Sequence, residues 1–568
     1  MRLINSYLIS VAKGEIPADL ILANAKVVNV FSGEIEPGNV AICRDRIAGV
    51  GDYHQAKQVL DLTGRYLAPG LFNGHTHLES SMLDIAQYAR AVVPRGTLAL
   101  VTDLHEIANV CGLDGIRYVL NCARRLPLEL FLMAPSCVPA THLETSGAGL
   151  ELEALRQVLG WRGCIGLGEV MNFPGVLGGD ASVLSKINLA KGRVVDGHAP
   201  GVRGKDLSAY IAAGILSDHE SVSLDEAKEK LRQGMFLMIR EGSSEKNLDA
   251  LLPLVNDKTY KRCLFVVDDR SCVDLLRDGD IDAVVRKAIK LGLDPVRAIQ
   301  MATINTAEYF KLDRMGAVAP GYLANLIVIS DLSNLQIDMV FYRGRLVARQ
   351  GEPLFPSYQV GRKGLTNTVN IKPFNIEALK LLASGETELV IEIVPGQIIT
   401  KKRIERVKVS DGIIMPDTSL DILKLVVVER HKATGNIGLG LVMGFGLKKG
   451  ALASSIAHDS HNIVAVGTND EDIFTAIKEV ERLQGGLVDA ANGKVLASLG
   501  LPIAGLLSDE PLEVVVAKLE KLERLAKDLG TTLPSPFSTL SFLALPVIPE
   551  LRLTDLGLVD VNQFKVIR

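Results

Sequence analysis

The sequence predicts an α/β protein built on a (β/α)₈ barrel of the TIM type. Three observations carry this: eight short apolar runs fall between residues 65 and 270, helical-looking segments separate them, and run after run ends in polar or charged residues. The runs are RYLAPGLFNGHTH, GTLALVTDLHE, LELFLMAPSC, GCIGLGEVM, RVVDGHAP, GILSDHE, GMFLMIREGS and RCLFVVDDR. Strands covered on both faces read as continuous apolar runs, as a closed parallel barrel requires. A core strand has no reason to end repeatedly in His, Asp or Glu, because a desolvated charge costs several kcal/mol unless paired. The C-terminal ends of the strands are where such a barrel builds its active site.

The remaining elements follow in chain order. Residues 1–67 contain short alternating strands (ADLILANAKVVNVFSGEIEPGNVAICRDRIAGVGD) between Gly, Pro and Asn turn signals. The barrel is expected over 68–320. Its closing helix is LDPVRAIQMATINTAEYF, with Asp294 as N-cap and Pro295 at the first position. Strand patterning returns over 321–365, in LANLIVISD and MVFYRGRLV, so the barrel reads as an insertion in a small β-domain. Residues 366–568 form a C-terminal α/β domain. It has strands at ELVIEIV, KLVVVER and HNIVAVG and a charged helix at PLEVVVAKLEKLERLAKDLG.

Composition narrows the function classes. The 568 residues are 48% hydrophobic and 23% charged, with a formal net charge of −4. No dense run of Lys or Arg marks a nucleic-acid surface. No apolar stretch reaches the ~18 residues that would span a bilayer. Seven scattered cysteines lack any CxxC pair, and the N-terminal segment lacks a signal-type apolar core. A cytoplasmic protein is expected.

The candidate ligands sit at the strand ends. His75 and His77 close the first run, and residues i and i+2 of a strand share a face, so both imidazoles can reach one metal. HxH alone also describes two surface histidines; His198 ending the fifth run and His219 ending the sixth make that reading harder to hold. Glu169 ends the fourth run, either as a rim salt bridge or as a carboxylate bridging two cations. Asp268 and Asp269 end the eighth; alternation points one of them at the metal, and Asp268 is favoured. Asp103 and His105 are expected on one face of the second strand, followed by Glu106.

Assembled, these residues resemble the metal-dependent amidohydrolase superfamily over roughly 20–350. Members carrying Lys at the fourth strand act on cyclic amides; Glu169 stands there instead. The phrases HTHLESSM, DLHEIANVCG, GLGEVMNFPGV, DGHAPG, SDHES and VVDDR resemble the adenine deaminase branch. So does TGNIGLGLVMGFGLKKGALASSIAHDSHNIVAVG in the C-terminal region. The resemblance implies two divalent cations, Mn²⁺ or Fe²⁺ favoured and Zn²⁺ possible, held by His75, His77, Glu169, His198, His219 and Asp268. It implies hydrolysis of adenine to hypoxanthine and ammonia by a metal-activated hydroxide, as in purine salvage, with Asp268 carrying the proton. Glu79 and Glu241 are candidates to hydrogen-bond or protonate purine nitrogens. Asp103, His105, Glu106 and Asp269 are candidates for a supporting network, substrate contact or an extra metal. The resemblance further implies a homo-oligomer, a dimer favoured. His458-Asp459-Ser460-His461 reads equally as a loop over the barrel mouth or a plain turn.

Rival readings have weaker support. His77-Leu78-Glu79 and His142-Leu143-Glu144 fit the HxE of zinc nucleobase deaminases, but the required PCxxC is absent. A hydrolase of cyclic amides or N-acyl amino acids is disfavoured by Glu169 and the third domain. A non-catalytic barrel would lack some ligands, and every expected position is filled.

Overall fold

The computed structural model describes residues 6–358, 361–362 and 364–567. Eight parallel segments form the barrel wall. The first is broken into Leu71–Asn73 and Thr76–His77. Then come Thr97–Thr102, Glu129–Pro135, Cys164–Val170, Val194–Gly197, Ser217–Asp218 and Phe236–Arg240. The eighth is Cys263–Val266 continued by Asp268–Asp269, which pairs with Thr76–His77 and closes the ring. Between the fifth and sixth strands the described residues form no ladder. The link there is the Leu216 N–H to the Val195 carbonyl (3.0 Å), beside the Gly197 N–H to the Ser217 hydroxyl (3.4 Å). The strands run so close here that a Cβ on Gly197 would lie 2.5 Å from the Ser217 carbonyl oxygen.

Apolar side chains fill the barrel floor: Val101, Met133, Val194, Met238, Leu264 and Val266, from five strands, close on Tyr309 and Phe310. Each such burial stabilises by about 1.5–3 kcal/mol. The outer helices present one apolar stripe each. In Ile281–Lys290 the buried set Ile281, Val284, Val285 and Ala288 follows the i, i+3, i+4, i+7 spacing.

The chain leaves a nine-stranded sheet at Tyr66–Pro69 and re-enters it at Leu326–Asp331, which lies antiparallel to that same strand. The barrel is therefore an excursion from one sheet. An eight-stranded sheet follows in the C-terminal region, including Thr387–Ile393, Ile422–Val428 and Ile463–Gly467, with helices Asp470–Leu483 and Leu512–Asp528. No helix among the described residues is long and apolar enough to cross a membrane.

Two sequence expectations need correction. The helix expected from Asp294 onward is two, Pro295–Met301 and Ile304–Tyr309, although Asp294 does cap the first through the Arg297 N–H. Thr303 leaves helical space (φ −143°, ψ −91°), and the freed Ala302 carbonyl accepts the N–H of Phe72 in the first barrel strand (2.7 Å). Secondly, Asp103 and His105 do not share a strand face. The strand ends at Thr102, Leu104 turns at φ 56°, and His105 and Glu106 open a helix, His105–Ala123. Side-chain oxygens of Thr102 and Asp103 accept the N–H groups of Leu104 and His105, offering the backbone a turn in place of the ladder.

Candidate metal centre

At the C-terminal rim, His75, His77, Glu169, His198, His219 and Asp268 converge, each at most 9% exposed. His75 and His77 are held two residues apart by the pairing of Thr76–His77 with Asp268–Asp269. Asp268 itself adopts φ 60°, its N–H on the His75 carbonyl (3.1 Å) and its carbonyl accepting the Thr76 hydroxyl (3.1 Å). That turn aims its carboxylate inward, with Oδ1 3.3 Å from His75 Nε2 and 3.1 Å from His77 Nε2. Asp269 instead accepts the Ser80 hydroxyl.

Glu169 stands between two sets of histidines. Its Oε1 is 3.4 Å from His77 Nε2; its Oε2 is 2.9 Å from His198 Nδ1 and 3.0 Å from His219 Nε2. Burial raises the Glu169 pKa, but His219 and His198 outweigh it and hold the carboxyl well below its usual range. Metal–nitrogen bonds of 2.0–2.1 Å in a tetrahedron place donor atoms about 3.3 Å apart, close to these separations. Moreover, His75 Nε2 and His219 Nε2 are buried 3.3 and 3.0 Å from carboxylate oxygens yet without hydrogen-bond geometry to them, as co-ligands of one ion would be. Buried polar atoms are normally satisfied, so the donor set fits cations. The residues could hold one ion at His75, His77 and Glu169, with Asp268 Oδ1 beside both imidazoles, and a second at Glu169, His198 and His219.

Asp103 braces this centre from beneath. Its Oδ1 lies 2.9 Å from His105 Nδ1 and 3.4 Å from His77 Nδ1, and its Oδ2 accepts the Glu169 N–H (3.1 Å). A carboxylate on the far nitrogen fixes the tautomer of a ligating histidine and raises its basicity. Glu106 faces the other way, across the domain junction: its carboxylate meets His458 Nδ1 and His461 Nε2. The His458–His461 loop thus lies over the barrel mouth. There His458 stacks on Phe542 (4.6 Å between centroids, 24°), and Ile398, Leu545 and Ile548 complete an apolar roof.

The two carboxylates expected to touch a purine fare differently. Glu79 is buried; its Oε1 accepts the Ile107 N–H (3.2 Å), and burial together with Glu106 pushes its pKa up to about 7. Glu241 turns away from the mouth. Lys287 on the outer helix donates to its Oε1 (2.6 Å), and its Oε2 accepts the Leu248 N–H (3.1 Å). The residue after the strand end follows the alternation to the outer side, where a lysine neutralises it. Glu245 lines the mouth in its stead, with its pKa pushed up to about 7 by burial.

Arg240 and Glu220 were also missed. Arg240 Nη1 donates to Asp268 Oδ2 (2.8 Å), and the guanidinium grips both oxygens of Glu220. Arg240 ends the seventh strand, so the strand-end rule that found the histidines also marks it. Glu245 sits in a loop and carries no such signal.

A (β/α)₈ barrel with four histidines and two carboxylates at its C-terminal rim has the arrangement of a metal-dependent amidohydrolase, and the amidohydrolase family model matches residues 66–347. The model of the adenine deaminase C-terminal domain matches residues 397–565. An adenine deaminase of Dehalococcoides mccartyi (strain 195) is 64% identical over 562 residues, spanning 99% of this chain and 98% of the relative. Adenine deaminase 2 of Carboxydothermus hydrogenoformans is 51% identical over 99% of this chain and 98% of its own length. For the adenine deaminase of Methanothrix thermoacetophila the figures are 48%, 98% and 98%. The chain belongs to the adenine deaminase family.

Proposed function

We propose that this protein hydrolyses adenine to hypoxanthine and ammonia. The observation that carries the chemistry is Glu169, whose two oxygens face separate histidine sets. The identity to adenine deaminases along the whole chain supports the substrate. Two divalent cations would be held by His75, His77, Glu169, His198, His219 and Asp268; when bound, such ions supply hydroxide at neutral pH by acidifying water. Imidazole and carboxylate donors without thiolate suit manganese, iron and zinc alike; manganese or iron is the proposal, on the resemblance to adenine deaminases.

The chain's own residues supply the rest. Asp268 faces the donor cluster with Oδ1 and is steadied at Oδ2 by Arg240, so it is placed to take a proton there and return it to the departing amine. Glu245, buried at the mouth with its pKa raised by desolvation, is suited to hydrogen-bond a purine ring nitrogen. Phe542 and its apolar neighbours cover the base and exclude water. The reading includes a cytoplasmic homo-oligomer, a dimer favoured, serving purine salvage.

The test is ammonia release from adenine by protein loaded anaerobically with Mn²⁺ or Fe²⁺, alongside Glu169→Gln. Turnover by the wild type and its loss in the variant are expected. A metal-loaded wild type inert on adenine would refute the substrate.

A further inference from the structure

Arg552 is fully buried on the strand Leu551–Thr554, and each hydrogen bond the structure gives its guanidinium ends on a backbone carbonyl. Nε donates to Ile548 (2.8 Å), Nη1 to Phe542 (2.9 Å), and Nη2 to Ile398 (2.6 Å) and Pro549 (3.2 Å). Ile398 comes from a distant stretch of chain, Phe542 ends the helix Pro536–Phe542 and Ile548 lies in the turn that leads into the strand; all three line the roof over the metal centre. Burial alone lowers the Arg552 pKa, to about 9, which leaves it charged at neutral pH.

A buried cation is normally matched by an anion, since desolvating it costs several kcal/mol. Here three backbone segments supply the compensation through charge-assisted hydrogen bonds. The planar fork of arginine can reach them together, whereas the point charge of lysine cannot take the same geometry. The roof also has ties of its own, among them the Glu550 N–H to the Thr400 carbonyl (3.1 Å), the Lys402 N–H to the Glu550 carboxylate (2.9 Å) and the mutual packing of Phe542, Leu545 and Ile548. The stretch at Ile398 meets the stretch at Pro549 through Thr400, whose N–H donates to the Pro549 carbonyl (3.0 Å) and whose hydroxyl donates to the Leu551 carbonyl (2.8 Å). The stretch at Phe542 joins the strand through the Leu553 N–H to the Leu543 carbonyl (3.1 Å). From Phe542 the chain of contact runs on through the stacked His458 ring to Glu106 of the barrel.

We propose that Arg552 is a positioning residue for substrate binding: it gathers three backbone segments into the apolar roof that presses the nucleobase towards the metal centre. The role in turnover rests on the reading of adenine as substrate; the hold on the roof does not. Because the guanidinium touches none of the predicted metal ligands, its loss weakens capture of the base while leaving the reacting groups in place.

The experiment compares the metal-loaded full-length wild type with Arg552→Lys, and with Arg552→Gln as a second variant should one fail to fold. Hydrogen exchange is measured at the segments around 396–400 and 540–550, with barrel segments as the internal reference. Exchange at the roof segments is expected to quicken about tenfold or more while the barrel is unchanged. On adenine, KM is expected to rise roughly tenfold with kcat within about threefold. Pairing with Phe542→Ala supplies a readout that mere destabilisation would not move: the KM effects should be less than additive, because both changes undo one roof. Unchanged exchange at the roof overturns the proposal whatever the activity. So does a kcat loss with KM unmoved, or full additivity with Phe542→Ala. A wild type inert on adenine would refute the substrate, and the exchange result would still decide whether Arg552 holds the roof.

Discussion

Tyr210 and His198 are joined by a hydrogen bond from the His198 N–H to the Tyr210 hydroxyl (3.0 Å), and that hydroxyl donates in turn to the Val170 carbonyl (2.6 Å). One phenol on an outer helix therefore ties the backbone beside Glu169 to the backbone of a candidate ligand in the next strand. Tyr210→Phe leaves the ring volume intact and strips both bonds. The expected outcome is a stability loss of about 1–3 kcal/mol in denaturant titration and metal affinity lowered about 10–100-fold, read as metal content after dialysis.

The two mouth-loop carboxylates separate cleanly. Glu241→Gln should keep kcat/KM for adenine within about threefold, since its partners are Lys287 and the Leu248 N–H, and should cost about 1 kcal/mol of stability. Glu245→Gln should lower kcat/KM by about tenfold or more with little change in melting temperature. Steady-state kinetics on both variants checks the assignment, and the reverse pattern would restore Glu241 to the site.

Asp489 is fully buried on the strand Gly486–Ala491 with neither carboxylate oxygen hydrogen-bonded, and burial pushes its pKa up to about 8. The sign follows from linkage. A folded-state pKa above the unfolded value of about 3.9 means the native state binds the proton more tightly, so stability falls as pH rises from about 4 to about 8 and then levels. Asp489→Asn, which cannot ionise, should raise the melting temperature by about 3 °C or more at pH 8.5 and by little at pH 5. Thermal unfolding at the two pH values measures it.

Much of this was legible in the sequence, for a reason visible in particular residues. His75, His77, His198, His219 and Glu169 announce themselves because a charged or imidazole side chain ending an apolar run has no structural excuse. The rule fails where the chain stops obeying strand periodicity. Alternation puts Asp103 and His105 on one strand face, but side-chain hydrogen bonds at Thr102 and Asp103 turn the chain first. Glu245 lies in a loop, where no period exists to read. The part played by His458 needed the third dimension: 352 residues separate it from Glu106, and nothing local pairs them. The break at Thr303 was hidden for a similar reason, since the Ala302 carbonyl is satisfied by Phe72, far back in the chain.

The seam between the fifth and sixth barrel strands has a consequence for durability. It is the one junction of the wall without a ladder among the described residues, and His198 and His219 flank it on opposite sides. A cation shared by these two histidines and Glu169 would act as a rivet through the joint, replacing with coordinate bonds the rungs the backbone does not supply. Free energy of ion binding would then be spent on holding the cylinder shut. Without the ion, the two strands would be held side by side here by the Leu216–Val195 and Gly197–Ser217 hydrogen bonds in place of a ladder.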